Sequence, residues 1–246
     1  MKGLLYKNYL VTRKFYLIAL LFFCIMALFM ILIRLSMICG NISHDPETVE
    51  ELSRTMWIFR YMPCSVILLS FSGYEGTVFT DLEAGWTKFS RTTSLSPYKI
   101  VGAYFLSKGI VLMVAYILCL LYLVIFCLSF GDEISLHYIG HITALFFLGL
   151  AIQYYNLLCY MFVNKAQTAQ TIQALTGIIV AAVFNFYIYA KIDELQENPD
   201  IGLLEWLAQQ FAPLKEHFFL ISLLCAVIFT VGGYFLSVKG LERRKF

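Results

Sequence analysis

Hydrophobic residues in this chain are gathered into long uncharged stretches, which short segments rich in charge separate. A helix that spans a membrane needs about 20 mostly apolar residues in succession. Five stretches come close to that length or exceed it, so the pattern indicates an all-α, polytopic membrane protein. They predict spanning helices at 15–38, 104–130, 138–162, 168–190 and 215–238.

A sixth stretch, at 57–79, is weaker because charges and glycines interrupt it. Arg60 and Glu75 enclose its uncharged part, and Gly73 and Gly76 lie close to the acid. The apolar character nevertheless continues from one end of the stretch to the other. We interpret it as an interrupted span, which gives six transmembrane helices in a single domain that covers residues 1–246.

The composition agrees with a chain that is mostly in lipid. Hydrophobic residues make up 60% of it and charged residues 14%, whereas a globular chain has about 25% charged and about 45–50% apolar residues. This excludes a soluble single-domain enzyme. The net charge of +2 gives no strong field for binding nucleic acid.

The distribution of charge predicts that both termini lie in the cytoplasm. Lys and Arg favour cytoplasmic loops, and with six spans that side holds thirteen of the 18 basic residues. The outer loops are acidic instead. An odd number of spans would place the basic tail Arg243-Arg244-Lys245 outside, which this preference disfavours.

The longest cytoplasmic connection, 80–101, combines charged and aromatic residues and ends in a helix start. Ser96-Pro97 is typical of an N-cap followed by proline in the first helical turn. We expect a cytoplasmic partner to dock on this segment; a solvated loop or a place in the lipid headgroup region are the alternatives. The residues that give it this character are Asp81, Glu83, Gly85, Trp86, Lys88 and Phe89.

Two other connections have a helical character. Residues 1–14 mix apolar and basic side chains, which suits either a helix on the inner membrane face or ordinary flanking charge for the first span. Residues 191–213 form the long outer loop, in which Asn198-Pro199 signals a turn. A short amphipathic helix is predicted after that turn, at the outer leaflet.

Motifs for catalysis are missing from the chain. It has no P-loop for nucleotides, no nucleophile elbow and no zinc-protease motif, so we expect no cofactor and no metal. His137 and His141 are four residues apart and would share a helix face, but interfacial anchoring is the favoured interpretation. Cys39 and Cys64 flank the first outer loop, and the sequence does not decide whether they form a disulfide.

The polar residues within the predicted spans can each be interpreted in two ways. Glu75 is either a pathway residue or the partner of Lys108 or Lys88 in a salt bridge. The uncharged polar residues of the fourth and fifth spans either hydrogen bond between helices, which is the default, or line a lumen between two copies. Those residues are Gln153, Asn156, Gln170, Gln173, Thr176 and Asn185.

The connection after the second span resembles that of type-2 ATP-binding-cassette (ABC) transporter permeases. That family has an acid, a Gly-Trp pair and an aromatic residue, then a Thr-Ser-Pro-Leu-Ser run, a basic residue and Ile-Val. This chain has Gly85-Trp86, Thr93-Ser94-Leu95-Ser96, Lys99 and Ile100-Val101, with serine in the place of the proline and Pro97 three residues later. The opening residues 1–7 are also similar. The specific part of the resemblance covers about 25 residues.

The resemblance implies a permease subunit in a bacterial plasma membrane, without ATPase activity of its own. The partners would be a second permease copy and two cytoplasmic ABC ATPase subunits that dock on 80–101. The short outer loops are most similar to exporters of amphipathic or antimicrobial peptides, such as the phenol-soluble-modulin exporter. An intramembrane enzyme, or a membrane sensor or immunity subunit, is the alternative. In such permeases the second and fifth helices line the pathway, which here implies Phe71, Tyr74, Glu75, Thr176, Phe184 and Asn185.

Overall fold

The computed structural model describes residues 2–39, 60–72, 76–85, 95–130, 133–163, 165–190 and 212–243. Helix accounts for 95% of this part of the chain, which contains no strand, so the all-α prediction is confirmed for it. Seven helices lie in these ranges. They are α1 (Lys2–Cys39), α2 (60–72), α3 (Gly76–Glu83), α4 (Pro97–Phe130), α5 (Leu136–Phe162), α6 (Ala166–Ala190) and α7 (Ala212–Arg243).

Four helices of the described ranges, α4 to α7, are long and apolar enough to cross a membrane. The α1 segments Lys2–Arg13 and Tyr16–Leu32 meet at an angle of 49° and supply a fifth span if the bent pair is counted as one. Across the predicted second span the structure has the shorter helices α2 and α3, with residues 73–75 outside the described part. The described residues thus contain four or five candidate spans, and the predictions of six spans and of cytoplasmic termini are not confirmed.

Local signals account for the helix starts. Pro97 begins α4, as the sequence predicted, and the Ser96 carbonyl oxygen accepts the Lys99 amide at 2.9 Å. Before α5, the Ser135 side chain caps the helix by accepting the Tyr138 amide at 3.4 Å. Each cap satisfies backbone donors that the first helical turn leaves without an intrahelical partner.

The helices pack around α4 and α5. Helix α7 runs along α5, α1 runs along α4, and α6 makes its few contacts mainly with α5. One buried cluster joins α1, α2, α4 and α5 and includes Leu68 and Tyr122. A second joins the start of α4 to the ends of α5 and α7 and includes Val101 and Leu241.

Glycine permits the closest of these approaches. A Cβ atom at Gly240 of α7 would lie 3.0 Å from the Met161 carbonyl oxygen and 3.0 Å from a ring carbon of Phe162. A Cβ atom at Gly109 of α4 would lie 3.0 Å from the hydroxyl of Tyr154 on α5. All three distances are tighter than most real Cβ contacts, so the lack of a side chain at the two positions lets these helices pack this closely.

Much of the outer surface is apolar, and α6 is the extreme case. Large hydrophobic side chains are exposed on opposite sides of this helix, among them Ile178, Val180 and Phe186. A soluble monomer rarely presents so large an apolar surface. Together with the candidate spans, this surface is that of a membrane protein.

Candidate functional site

A buried carboxylate joins three helices at the start of α4. Asp81 of α3 is 6% exposed, and its carboxylate forms an ion pair with the ammonium group of Lys7 on α1. The hydroxyl of Tyr104 on α4 donates a hydrogen bond to the same carboxylate oxygen. The Lys7 ammonium also lies 5.6 Å from the centre of the Tyr104 ring. We call Lys7, Asp81 and Tyr104 the carboxylate latch.

A second polar link between α1 and α4 lies beside the latch. The side-chain amide of Asn8 donates to the Ser107 hydroxyl at 3.1 Å, and that hydroxyl donates to the Tyr104 carbonyl oxygen at 3.0 Å. One turn further along α1, the Thr12 hydroxyl donates to the Asn8 carbonyl oxygen at 2.9 Å. Lys7 and Asn8 of α1 thus meet Tyr104 and Ser107 of α4, while the Thr12 hydroxyl bonds within α1.

The first segment of α1 therefore turns its polar face inward and its apolar face outward. Asn8 and Thr12 are buried, whereas Tyr6 is 64% and Tyr9 is 55% exposed. From the sequence, residues 1–14 were interpreted either as a helix on the inner membrane face or as flanking charge for the first span. Neither interpretation predicted that the polar face packs against the protein. An outward apolar face suits a lipid environment, and the inward polar face contacts Asp81 and Ser107.

A cavity of about 310 Å³ lies between α1, α4 and α5 next to the latch. Two of its wall residues, Lys108 and Gln153, are almost completely buried. The cavity wall also includes Thr12 and Ser107, which carry hydroxyl groups, and the aromatic residues Tyr9 and Tyr16. Burial of a lysine and an amide in an apolar bundle is costly unless each is hydrogen bonded, so this is an unusual place in the molecule.

The segment predicted to contact a partner starts at the end of α3. The Ala84 amide donates to the Thr80 carbonyl oxygen at 2.9 Å, and Gly85 has a φ of 67°. A left-handed glycine directly after a helix is a common C-terminal cap. Asp81 is turned into the protein, Glu83 is exposed, and Gly85 ends the helix. Trp86, Lys88 and Phe89 lie outside the described residues.

The predicted pathway residues are not brought together where the structure describes them. Phe71 is buried in the core, and its carbonyl oxygen accepts a hydrogen bond from the side-chain amide of Gln153 at 3.5 Å. Asn185 is exposed on α6 and donates to the Ala181 carbonyl oxygen at 2.7 Å. Tyr74, Glu75 and the Phe184 side chain lie outside the described part of the chain.

The remaining pathway residue, Thr176, is engaged between helices. Its hydroxyl lies 2.6 Å from that of Tyr155 on α5. The Gln173 side-chain amide donates to the Asn156 carbonyl oxygen at 3.3 Å across the same helix pair. Interhelical hydrogen bonding, the default interpretation for such residues, is confirmed for Gln173 and Thr176.

The opposite end of α4 carries an aromatic cluster with one cation. The Arg60 guanidinium lies 4.1 Å from the centre of the Tyr138 ring and 5.1 Å from that of Phe126. His141 packs on Tyr61, with 5.0 Å between ring centres, and lies 6.4 Å from His137. Among the described residues, no group of three His, Cys, Asp or Glu side chains could hold a metal ion.

Two buried thiols pack where α2 crosses α4. The Cys64 thiol donates to the Cys119 carbonyl oxygen at 3.7 Å, and the Cys119 thiol donates to the Cys64 carbonyl oxygen at 3.6 Å. Cys64 is a free cysteine. The side chain of Cys39, its possible disulfide partner by sequence, is outside the described part.

Sequence reasoning missed Lys7, Asn8, Tyr104 and Ser107. A partial signal existed, because Asn8 and Thr12 are four residues apart and therefore fall on one face of the helix. No protein-family model matches the chain, and no curated protein or solved structure matches it either.

Proposed function

We propose that this protein is the permease subunit of a type-2 ABC exporter in a bacterial plasma membrane. Two copies would form the pathway for amphipathic or antimicrobial peptides, and two separate ATPase subunits would drive it. The observation that carries the proposal is the carboxylate latch. It ties the segment on which the resemblance places the ATPase to two other helices, α1 and α4.

The latch suits a mechanical role. An ATPase that moves the segment 80–101 would displace the end of α3, where Asp81 lies. Asp81 is bonded to Lys7 and Tyr104, so α1 and α4 would follow that displacement. Packed interfaces change between discrete arrangements rather than deforming continuously. A small push at the cytoplasmic side would thus alter how the spanning helices pack.

The rest of the molecule supports the same proposal more loosely. The sequence has no nucleotide-binding motif, which fits an energy source in another subunit. The exposed apolar surface of α6 is available to a second copy. Both termini in the cytoplasm would place Lys7, Asp81 and the segment 80–101 on the side where ATP is present.

The proposal is tested by co-purification with the ATPase. The tagged full-length chain is expressed with an ABC ATPase of the same organism and purified in detergent, and ATP hydrolysis by the complex is measured. We expect Trp86→Ala and Phe89→Ala to lose the ATPase from the complex. Trp57→Ala is the matched control, because the predicted topology places Trp57 at the opposite membrane face.

Two results would contradict the proposal. One is a complex that keeps its ATPase and its stimulated hydrolysis in both Trp86→Ala and Phe89→Ala. The other is ATP hydrolysis by the purified chain on its own. The yield of each variant in the membrane fraction is measured as well, so that a variant that fails to insert is not mistaken for one that fails to bind the ATPase.

A further inference from the structure

A second cavity, of about 560 Å³, lies between α4, α5 and α7 and is lined mostly by apolar and aromatic residues. On α4 its wall includes Gly102 and Gly109, which leave room beside the helix. Three other wall residues of α4 are 46–49% exposed, namely Leu106, Ile110 and Met113. The cavity is therefore an open groove on the lateral surface of the bundle, and we call it the lateral groove.

The dimensions of the lateral groove suit a single hydrocarbon chain. It follows α4 from Gly102 to Met113, a rise of about 16 Å, which is close to half of the roughly 30 Å hydrocarbon core of a membrane. Dividing 560 Å³ by this length gives a mean cross-section of roughly 35 Å². An α-helix with its side chains is about 10–12 Å across and occupies more than twice that area. An extended chain from one leaflet fits the groove, whereas the helix of a peptide or of a second copy does not.

A cation lies at one end of the lateral groove. Lys99 precedes Gly102 by three positions and Leu106 by seven, so it lies on the groove face of α4, about one turn nearer the start of the helix. The hydroxyl of Tyr234, a wall residue of α7, donates to the carbonyl oxygen of Tyr98 at 3.2 Å, directly beside Lys99. Side chains tilt toward the N-terminus of their helix, which directs the ammonium group away from the apolar wall.

The charge at this end of the bundle favours an anion. Lys99 is exposed and forms no ion pair with any residue that the structure describes, and the positive end of the α4 dipole lies beside it. The second buried cluster joins the start of α4 to the start of α6 and the end of α7. Lys165, Lys239 and Arg243 are exposed there, with Glu242 as an exposed acid. Cations are thus in excess where the groove ends, and they attract negative charge.

The geometry points to a phospholipid with a net negative charge. We propose that the lateral groove binds an anionic phospholipid, such as phosphatidylglycerol, with one acyl chain along Leu106 and Met113 and its phosphate at Lys99. Phosphatidylcholine offers the same acyl chains, but its trimethylammonium group offsets the phosphate and meets the same cations. It should therefore bind more weakly. This inference does not depend on the proposed transport function.

The experiment measures which lipid the purified protein retains. The full-length protein in detergent is titrated with phosphatidylglycerol or with phosphatidylcholine of identical acyl chains, and bound lipid is counted by native mass spectrometry. We expect phosphatidylglycerol to bind about fivefold more tightly, which is what one lysine near an anionic lipid surface contributes.

One pair of variants tests the charge. Lys99→Gln should lower the affinity for phosphatidylglycerol about fivefold, to that of phosphatidylcholine, and its exposed position makes a folding defect easy to exclude by thermal unfolding. Lys239→Gln is the matched control. Lys239 is exposed at the same end of the bundle, but it lies nine positions, or two and a half turns, from Thr230 and thus on the face of α7 opposite that wall residue. Its affinity ratio should stay within about twofold, because salt screens exposed charges at that distance.

A second pair of variants tests the groove. Leu106→Trp fills it from an exposed position and should weaken the binding of both lipids. Ile117→Trp is the matched control, because Ile117 is 50% exposed on the same face of α4, about three turns further along, and does not line the groove.

Four outcomes would overturn the inference. Equal affinity for the two lipids would remove the role of the charge. Unchanged affinity for phosphatidylglycerol in both Lys99→Gln and Leu106→Trp would place the lipid elsewhere. Displacement of the lipid by glycerophosphoglycerol, at the concentration where intact phosphatidylglycerol acts, would assign the site to a soluble phosphate compound. Lipid retained by monomers but lost from dimers in the same spectra would assign the groove to a second copy of the chain.

Discussion

The ammonium group of Lys7 on α1 forms an ion pair with the carboxylate of Asp81 on α3, and 74 positions of sequence separate the two residues. The Lys7 side chain is 26% exposed and that of Asp81 is 9% exposed. Such a pair adds little net stability when formed, but removal of one partner leaves a charge without compensation. The pair therefore fixes which surfaces of α1 and α3 meet.

The first prediction concerns this pair. Asp81→Asn should lower the free energy of unfolding by about 1–3 kcal/mol, because the Lys7 ammonium then lacks its counter-charge. Adding Lys7→Met should cost less than the sum of the two single changes. Thermal unfolding in detergent measures both effects. Glu83→Gln, at an exposed position of the same helix, should change stability by less than about 0.5 kcal/mol; additive losses at positions 7 and 81 would refute the pairing.

The second prediction concerns the glycine that ends α3. Gly85 has a φ of 67°, and nothing lies within 4 Å of the position of a Cβ atom, so only backbone strain opposes a side chain. Gly85→Ala should cost about 1–2 kcal/mol, and Gly85→Asn less, because asparagine tolerates this conformation. Gly140→Ala, in the open interior of a helix, should be neutral or stabilising. A neutral or stabilising Gly85→Ala would rule out the left-handed cap.

The third prediction concerns the packing of α7 on α5. Gly240→Ala would bring a Cβ atom to 3.0 Å from the Met161 carbonyl oxygen, and backbone cannot move aside as a flexible side chain does. We expect a loss of about 1–3 kcal/mol. Gly232→Ala on the same helix has no atom within 4 Å and serves as the control. Equal melting temperatures for the two variants would show that these helix ends are further apart.

The fourth prediction concerns the cation between aromatic rings at the far end of α4. The Arg60 guanidinium lies 4.1 Å from the centre of the Tyr138 ring. A double-mutant cycle of Arg60→Met and Tyr138→Leu should give a coupling energy of about 0.5–2 kcal/mol. The cycle of Arg60→Met with Tyr234→Leu should be additive, because Tyr234 packs on Phe105 near the other end of α4. Additivity in the first cycle as well would exclude a direct Arg60–Tyr138 interaction.

Features that depend on neighbouring residues could be predicted from the sequence. The start of α4 at Pro97 follows from Ser96-Pro97, and α5 follows from a long apolar stretch with little charge. The second predicted span is different. Gly73, Glu75 and Gly76 weaken its pattern, and the structure has the two short helices α2 and α3 on either side of residues 73–75.

The carboxylate latch could not be predicted, because its members are far apart in sequence. Asp81 lies 23 positions from Tyr104 and 74 from Lys7. Hydrophobic periodicity shows that a helix has a polar face, but not whether water or protein covers that face. The sequence analysis placed Asp81 with the residues that contact a partner, whereas the structure turns it toward α1 and α4.

The most direct test of the account is to determine on which side of the membrane Trp86 lies and whether the ATPase covers it. Trp86→Cys and Trp57→Cys, each in a chain whose 7 native cysteines are replaced by alanine, are treated in intact cells with a membrane-impermeant maleimide, with and without the co-expressed ATPase. The account predicts labelling of Trp57→Cys in intact cells, and labelling of Trp86→Cys only after permeabilisation and less so when the ATPase is present. Labelling of Trp86→Cys from outside the intact cell would contradict it.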